Sequence, residues 1–499
     1  MDLAQAREDL KKLQLKMAAY DHAVGLINYD GETSAPEGTA DNRALTLGVL
    51  SGEMYKFNTA QETIDLLEYL EQHQDELDEK ERRQVFLLLK SIRQLRKIPM
   101  DEYIAYQSLL VKSQDVWEKA KNNNDFESYR PYLEEVYATV KKFAAYCAPD
   151  KDPYDYWLNE YEEGMSMKFC DDFFGKLRER IVPLLKKIEE KPQIDVSFLK
   201  GDYPDDKQEE LALYLMEVMG LDPEHVGLST TEHPFTTSLG SHHDERITTH
   251  YHRDDFVSSL YSVVHEGGHA LYDTGSADDL AYTVLDGGVS MGVHESQSRF
   301  YENIVGRSRG FIKFITPKLK ELFPERLEGV TPEELYRAMN RVQPSLIRTE
   351  ADEATYCLHV MVRYELEKAI MHDELQVKDL PEAWNKMYKE YLGVDVPDDT
   401  HGVLQDSHWS FGAIGYFPSY ALGNAYGAQF LAKMKESVDV DACAEAGNLA
   451  PINDWNREHI WKHGALYPPK ELIRNIVGEF STEAYTTYLE EKFGEIYDL

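Results

Sequence analysis

The sequence predicts a mainly α-helical fold, and three observations support this prediction. Apolar residues recur at three- and four-residue steps through most of the chain, which is the period of an amphipathic helix. Glycine and proline cluster only in short segments between the predicted elements, and the sequence contains no low-complexity spacer or internal repeat. The main exception is one strand pattern near the middle of the chain. We therefore expect one large helical unit over 1–499, either undivided or in two lobes.

Two apolar stripes illustrate the helical pattern, one before Pro99 and one after Pro469. The residues of these stripes are Val85, Leu87, Leu88, Ile92 and Leu95 in the first and Leu472, Ile473, Ile476, Val477 and Phe480 in the second. Such stripes are the ordinary signature of buried helix faces. They predict core packing and carry no functional information.

The strand pattern lies between Asp244 and Tyr251. Here the side chains alternate in character, with Ile247, Thr249 and Tyr251 on one face and Arg246, Thr248 and His250 on the other. Alternation with a period of two is typical of a β-strand with one buried face.

A helix is predicted directly after this strand. Asp254 or Asp255 is a suitable N-cap, an apolar stripe follows, and Gly275 offers a stop. The segment His265-Glu266-Gly267-Gly268-His269 therefore falls on the later turns of the helix. Each glycine costs about 1 kcal/mol relative to alanine inside a helix. This cost indicates that a substrate or a neighbouring helix closely approaches the backbone.

The two histidines of this segment have the spacing of zinc ligands. His265 and His269 stand one helical turn apart, so both imidazoles can reach one ion. Glu266 projects about 100° around the axis, where its carboxylate can reach a water molecule bound to the metal. Zinc needs a third protein ligand, but the extended HExxHxxGxxH pattern fails because Tyr272 and Gly275 occupy its Gly and His positions.

A carboxylate from a following helix is the better candidate for the third ligand. Glu295 lies on a predicted helix that begins near Ser290. Glu302 and Asp286 remain open as alternatives on spacing alone. The neighbouring His294 fits a role beside the ligands, or in packing, better than a role as a ligand.

Composition excludes several classes of partner. The formal net charge of -37 would repel nucleic acid and anionic membranes, and no apolar run is long enough to span a bilayer. Four scattered cysteines without a CxxC pair favour neither a disulfide framework nor a thiolate zinc site. The amino terminus does not have the pattern of a signal peptide. We therefore expect a cytoplasmic protein.

Several ordered motifs resemble those of the carboxypeptidase Taq family, also called the thermostable carboxypeptidase 1 family. The motifs are His233-Pro234-Phe235, the DxRxT pattern from Asp244 to Thr248, HEGGH at 265–269, His294-Glu295-Ser296 with Gln297, IRxxAD as Ile347, Arg348, Ala351 and Asp352, and GxxQDxHW as Gly402, Gln405, Asp406, His408 and Trp409. They span 233–409, and the long helical amino-terminal part also looks like that of the family.

This resemblance implies a zinc metallocarboxypeptidase. His265, His269 and Glu295 would be the metal ligands, with Glu266 as general base and proton shuttle. Other divalent metals such as Co²⁺ would be able to replace the zinc. The resemblance further implies a deep active-site groove, one small β-sheet next to the HExxH helix, and a homodimer.

Five further residues are assigned to catalysis or substrate binding. His408 and Tyr420 are candidates to stabilise the oxyanion. Arg348 and Arg246 are candidates to pair with the terminal carboxylate of a peptide. His233, from the first motif, is a further candidate to bind substrate. Each arginine could instead belong to an ion-pair network with nearby acidic residues. The turn around His408 and Tyr420 could instead be a packed aromatic structure without a catalytic role.

The predicted function is the release of single amino acids from the free carboxyl end of peptides with broad specificity. The strand from Thr248 to Tyr251 is expected to offer an edge that pairs with the peptide backbone. The alternatives are a helical HExxH oligopeptidase or dipeptidyl carboxypeptidase, and a non-catalytic zinc scaffold or peptide-binding protein. The intact Glu266 argues against the last two, because a structural zinc site needs no base.

Overall fold

The computed structural model describes residues 2–499 and confirms the mainly α-helical fold. Its α-helices, numbered α1 to α21 in chain order, are Leu3–Thr33, Ala40–Asn58, Gln61–Gln72, Glu79–Lys97, Met100–Asn123, Phe126–Cys147, Pro153–Tyr161, Met167–Glu189, Asp205–Met219, Phe256–Thr274, Met291–Arg299, Arg309–Leu322, Pro324–Leu327, Pro332–Met339, Tyr356–Met371, Leu380–Leu392, Pro418–Met434, Val440–Ala446, Ala450–His459, Pro469–Val477 and Thr482–Tyr497. The strands, numbered β1 to β3, are Val226–Thr230, Thr236–Leu239 and Ser241–Thr249.

Local sequence signals explain where the important helices begin and end. The carboxylate of Asp255 accepts a hydrogen bond from the backbone N–H of Val257 and caps α10, the helix of the HEGGH segment. Gly275 follows its last turn, as predicted. The hydroxyl of Ser290 accepts from the backbone N–H of Val293 and caps α11, where the sequence predicts a helix start.

A π-helical turn, Phe300–Gly306, continues α11 directly. Such wide turns are rare and frequently occur at functional sites, because they shift the register of the side chains that follow. Here the turn carries Glu302, which the sequence leaves open as a metal ligand.

The three strands form one small sheet in the order β1-β3-β2. β1 runs parallel to β3, with Leu228 opposite Ile247, and β2 runs antiparallel to it, with Thr236 opposite Ile247. The predicted strand is therefore present, but the prediction that it offers an edge is wrong. β3 lies in the centre with a neighbour on each side, and β2 is an edge.

The glycines of the HEGGH segment allow neighbouring helices to pack closely. A Cβ on Gly268 would lie 2.8 Å from the backbone oxygen of Gln297 in α11, and one on Gly267 would lie 2.8 Å from the Met219 side chain at the end of α9. Gly423 plays the same part in α17, because a Cβ there would lie 2.6 Å from Cγ of Glu295. Of the two alternatives, neighbouring helices rather than substrate explain the paired glycines.

Most buried apolar side chains belong to one large core, and the next largest cluster lies near the amino terminus. The large core joins elements from α5 to α21, whereas the smaller core packs α1 against α3 and α4 and contains Val85, Leu88 and Ile92 of the predicted stripe. Among residues 2–499, no helix combines the length and apolar character needed to cross a membrane. The division into lobes, the homodimer and the cytoplasmic location stay predictions.

Candidate metal centre and active site

Three side chains from two neighbouring helices converge on one point. His265 and His269 project from α10 and Glu295 projects from α11. The Nε2 atoms of the two histidines lie 3.7 and 3.6 Å from the same carboxylate oxygen, Oε2 of Glu295. One donor atom from each residue lies within 4.8 Å of the other two.

This donor set fits a divalent metal of the zinc type. Two ligands that lie 2.0 to 2.1 Å from a tetrahedral ion are about 3.4 Å apart, close to the separations found here. Two imidazoles and one carboxylate are also a donor set of catalytic zinc, which keeps an open position for water or substrate. The three residues therefore suit one ion.

Each histidine is oriented by a partner on its far nitrogen. Nδ1 of His265 lies 2.9 Å from Oε2 of Glu302. Nδ1 of His269 lies 2.5 Å from Nδ1 of His294, whose Nε2 lies 3.0 Å from the Asp273 carboxylate. Partners of this kind fix the ring orientation and leave the Nε2 lone pair available to a metal.

The buried carboxylates beside these histidines are neutralised by arginines. Arg299 donates from Nε to Oε1 of Glu295 at 2.7 Å and from Nη1 to Oε2 of Glu302 at 3.1 Å, and Arg307 contacts Glu302 from the other side. Although burial raises the pKa of Glu302, the charge of Arg299 and the hydrogen bond from His265 outweigh it and hold that pKa well below its ordinary value. Glu302 is thus ionised and able to accept a hydrogen bond from the N–H at Nδ1 of His265.

Glu266 lies next to the converging ligands and is itself buried. Burial raises the pKa of its carboxyl above the ordinary value. The hydroxyl of Thr236 on β2 donates to Oε2 of Glu266 at 2.6 Å and fixes the orientation of the carboxylate. A carboxylate with a raised pKa is a stronger base than an exposed one, as proton transfer at neutral pH requires.

A cavity of about 1110 Å³ surrounds these groups. Its lining includes all three candidate ligands, Glu266, the edge strand β2, and residues of the predicted motifs near Arg348 and Tyr420. The groove implied by the resemblance is therefore present. The small sheet next to the HExxH helix is present as well.

The IRxxAD and GxxQDxHW motifs meet at one wall of this cavity. Arg348 is 5% exposed and donates from Nη2 and Nε to Oδ1 of Asp406 at 2.8 and 3.0 Å. Arg363 donates from Nε to the other oxygen, Oδ2, at 2.6 Å. Because two guanidinium groups share one carboxylate, this wall keeps a net positive charge. Arg348 thus pairs with Asp406, which is distant in sequence, and not with the acidic residues close to it in sequence, Glu350 and Asp352.

Tyr420 lines the cavity, whereas His408 lies behind it. Nε2 of His408 lies 3.0 Å from the hydroxyl of Tyr420. Burial and the charge of Arg348 lower the pKa of His408 to about 3, and burial raises the pKa of Tyr420 well above its ordinary value. Tyr420 is therefore protonated and able to donate a hydrogen bond, with a neutral His408 as its neighbour.

Arg246 and His233 are not among the residues that line the cavity. Arg246 forms an ion pair with Asp244 and donates to the backbone oxygen of Glu245, which is the ion-pair alternative considered for it. His233 is exposed. The geometry gives no support for substrate contact by these two residues, and that role stays a prediction.

Asp286, the remaining alternative for the third ligand, points elsewhere. Its Oδ1 lies 2.5 Å from Nδ1 of His242, outside the cavity. Glu302 supports His265 from its Nδ1 side, so Glu295 is the carboxylate that faces both Nε2 atoms. His294 takes the supporting role that the sequence favours for it.

Four residues that shape the site are not predicted from the sequence. They are Thr236, Arg299, Tyr356 and Tyr416, all of which line the cavity. The guanidinium of Arg299 lies 4.1 Å from the ring centre of Tyr356, which also accepts a hydrogen bond from Nη1 of Arg348 at 3.1 Å. The position of Arg299, four residues after Glu295 on a helix, is the one signal that would have found it.

Comparisons with known proteins place the chain in one family. Residues 9–493 match the family model for carboxypeptidase Taq (M32) metallopeptidase. Carboxypeptidase 1 of Bacillus subtilis is 38% identical over 502 residues, covering 100% of both chains. Thermostable carboxypeptidase 1 of Pyrococcus furiosus is 36% identical, covering 95% of this chain and 96% of its own.

A solved structure extends the similarity to the fold. The M32 carboxypeptidase from Deinococcus radiodurans superposes with a TM-score of 0.96 at 36% identity, covering 99% of this chain and 100% of its own. The family match, the level of identity and the near-complete coverage lead to one conclusion. The chain belongs to the carboxypeptidase Taq (M32) family of metallopeptidases and is a metallocarboxypeptidase.

Proposed function

We propose that this metallocarboxypeptidase uses zinc held by His265, His269 and Glu295 to release single amino acids from the free carboxyl end of peptides. The observation that carries the proposal is the convergence of these three donor atoms beside Glu266, in a cavity with Arg348 in its wall. Zinc bound there would lower the pKa of a water molecule to about 7 and polarise the substrate carbonyl.

Glu266 acts as the base and then as the acid. Its carboxylate accepts a proton from the attacking water and passes that proton to the leaving amine. Thr236 holds Oε2 of Glu266 by a hydrogen bond, which favours one orientation of the carboxylate toward the cavity. Supporting this role, Glu266 combines burial, a raised pKa and a position one residue from a ligand.

Tyr420 donates a hydrogen bond to the oxygen that becomes negative during the reaction. A donor in a site that excludes water stabilises such an oxyanion more strongly than water does. His408 lies 3.0 Å from the Tyr420 hydroxyl and acts by positioning it.

Arg348 pairs with the terminal carboxylate of the peptide. Its guanidinium keeps positive charge because Asp406 is shared with Arg363. An arginine can hold a carboxylate through two parallel hydrogen bonds, which fixes the position of the last residue relative to the metal. This pairing separates removal of terminal residues from internal cleavage.

The edge strand β2 binds the peptide backbone. Thr236, Thr237 and Ser238 line the cavity, and their strand pairs with β3 on one side only. An extended peptide that adds to such an edge is held by main-chain hydrogen bonds, whatever its side chains. Broad specificity follows from this mode of binding.

Mass-spectrometric timing of the products from one peptide tests the proposal. With a free carboxyl end, the zinc-loaded enzyme should produce a ladder shortened by one residue at a time, and an amide at that end should stop cleavage. Steps of two residues would instead identify a dipeptidyl carboxypeptidase. Undiminished cleavage of the amide would indicate an oligopeptidase and overturn the proposal.

A further inference from the structure

A second group of histidine and carboxylate side chains lies at the start of β3. His242 and His243 belong to that strand, and Asp278 lies in the connection between α10 and α11. One donor atom from each of the three lies within 4.8 Å of the other two. None of them lines the cavity of the active site, so this group is a separate feature of the molecule.

His242 is held in an orientation that leaves one nitrogen without a partner. The residue is 4% exposed, and its Nδ1 lies 2.5 Å from Oδ1 of Asp286. Asp286 also accepts a hydrogen bond from the backbone N–H of His242 at 3.2 Å. In the neutral imidazole, Nδ1 therefore carries the proton and Nε2 carries the lone pair.

Nε2 of His242 is buried and has no hydrogen-bond partner among residues 2–499. It faces Oδ1 of Asp278 at 3.7 Å, too far for a hydrogen bond. Buried polar atoms almost always have a partner, and an unpaired one costs free energy. An ion between His242 and Asp278 would supply the missing interaction.

The arrangement repeats the organisation of the catalytic cluster. There too a carboxylate, Glu302, lies on Nδ1 of a histidine, and Nε2 of that histidine lies 3.7 Å from a second carboxylate, Glu295. A histidine oriented through its far nitrogen by a carboxylate is the usual form of a metal-binding imidazole. Two imidazoles and a carboxylate form a donor set that suits zinc.

The surrounding charges favour a cation at this position. The nearby Lys80 forms an ion pair with Asp279 and not with Asp278. The side chain of Asp278 is 94% exposed, so it is able to turn toward an ion. The formal net charge of the whole chain, -37, also attracts cations.

We propose that His242, His243 and Asp278 bind a second divalent cation of the zinc class, with water completing its coordination. This site goes beyond the proposed function and does not depend on it. We assign it a structural role, because its three side chains lie outside the lining of the cavity that contains Glu266. The ion would fix the connection between α10 and α11, the two helices that carry the catalytic ligands, to the central strand of the sheet.

The competing explanation is a protonated His242 that pairs with both Asp286 and Asp278. Although burial lowers the pKa of His242, its hydrogen bond with Asp286 raises that pKa above the ordinary value. Such an ion pair would fill the same space without a metal. The two explanations differ in the number of zinc ions that each chain retains.

Zinc stoichiometry decides between them. The protein is saturated with zinc chloride and dialysed against metal-free buffer. Bound zinc is then measured by inductively coupled plasma mass spectrometry. We expect about two zinc ions per wild-type chain and about one after His243→Asn or Asp278→Asn. Asp279→Asn is the matched control, because it removes a neighbouring carboxylate outside the cluster and should keep two.

A variant that lacks the catalytic zinc site allows zinc binding at the second site to be measured alone. The variant His269→Asn lacks a catalytic ligand and should keep about one zinc ion, which the further change His243→Asn should remove. His243 and Asp278 are exposed, so their replacement should leave the circular dichroism spectrum unchanged. One zinc ion per wild-type chain, or a second one that neither substitution removes, would overturn the proposal.

Discussion

The two clusters of histidine and carboxylate differ less in their donor atoms than in their surroundings. His265, His269 and Glu295 lie between two buried helices, beside a base and a positively charged cavity wall. His242, His243 and Asp278 lie where a strand meets a connection, with two of the three exposed. Donor geometry therefore predicts where a metal binds, whereas the neighbouring groups predict what the metal does.

The largest expected effect comes from removing the carboxylate that completes the catalytic cluster. Glu295→Gln keeps the shape of the side chain but removes the negative charge that faces both imidazoles. We expect one zinc ion per chain to be lost and amino-acid release to fall to the background of a metal-free sample. Zinc content and product release measured on one preparation check this. Full zinc retention would show that another residue is the third ligand.

The next largest effect tests the hydroxyl donors that line the catalytic cavity. Tyr420→Phe removes the hydroxyl donor but keeps the ring, so kcat should fall about 10²- to 10³-fold with little change in KM. Steady-state kinetics on a short peptide measure both constants. Tyr416→Phe is the comparison, because Tyr416 lines the same cavity. If Tyr416→Phe lowers kcat and Tyr420→Phe does not, Tyr416 is the donor.

A smaller effect is expected from the carboxylate behind His265. Glu302→Gln keeps a hydrogen-bond acceptor for Nδ1 of His265 but loses its charge, so zinc affinity should fall about 10- to 100-fold. Competition with a chromogenic zinc chelator measures that affinity. An unchanged affinity would mean that the orienting carboxylate does not strengthen zinc binding, and would weaken the parallel with Asp286 in the second cluster.

The smallest effect concerns the support beneath the His408 turn. Buried Glu367 accepts hydrogen bonds from Trp409, Tyr154 and Gly415, and burial raises its pKa from 4.5 to about 7. The folded state therefore keeps this proton at a pH where the unfolded state has lost it. The stabilisation is complete below about pH 4.5 and is lost as the pH rises to about 7.

Urea denaturation of the wild type and Glu367→Gln across this range measures the effect. The free energy of unfolding of the wild type, relative to the variant, should fall by up to about 1.4 kcal/mol per pH unit and then stay constant above about pH 7. A difference that does not depend on pH would show that Glu367 titrates equally in both states.

The sequence predicts well what short-range patterns determine. The strand before the HEGGH helix, the cap near Asp255 and the helix start at Ser290 all follow from neighbouring residues, and the structure confirms them. On spacing alone, however, Glu295 competes with Glu302. The π-helical turn sets the register that places Glu302 beside Nδ1 of His265. The helical periodicity of the sequence does not predict this turn.

Long-range pairing explains what the sequence could not predict. Arg348 and Asp406 are 58 positions apart, so their ion pair depends on how distant segments pack. The place of β3 in the centre of the sheet depends on β1 and β2, and no feature of β3 itself distinguishes a central strand from an edge strand. The importance of Thr236 follows only once β2 is known to border the cavity.

The variant Glu266→Gln separates metal binding from proton transfer, because Glu266 is predicted to be the base and not a ligand. Zinc content and amino-acid release are measured together on the variant and on the wild type. We predict unchanged zinc content, since Glu266 is not a ligand, and a fall in turnover of about 10²- to 10⁴-fold, since the base is lost. Turnover equal to that of the wild type, with zinc retained, would contradict the account.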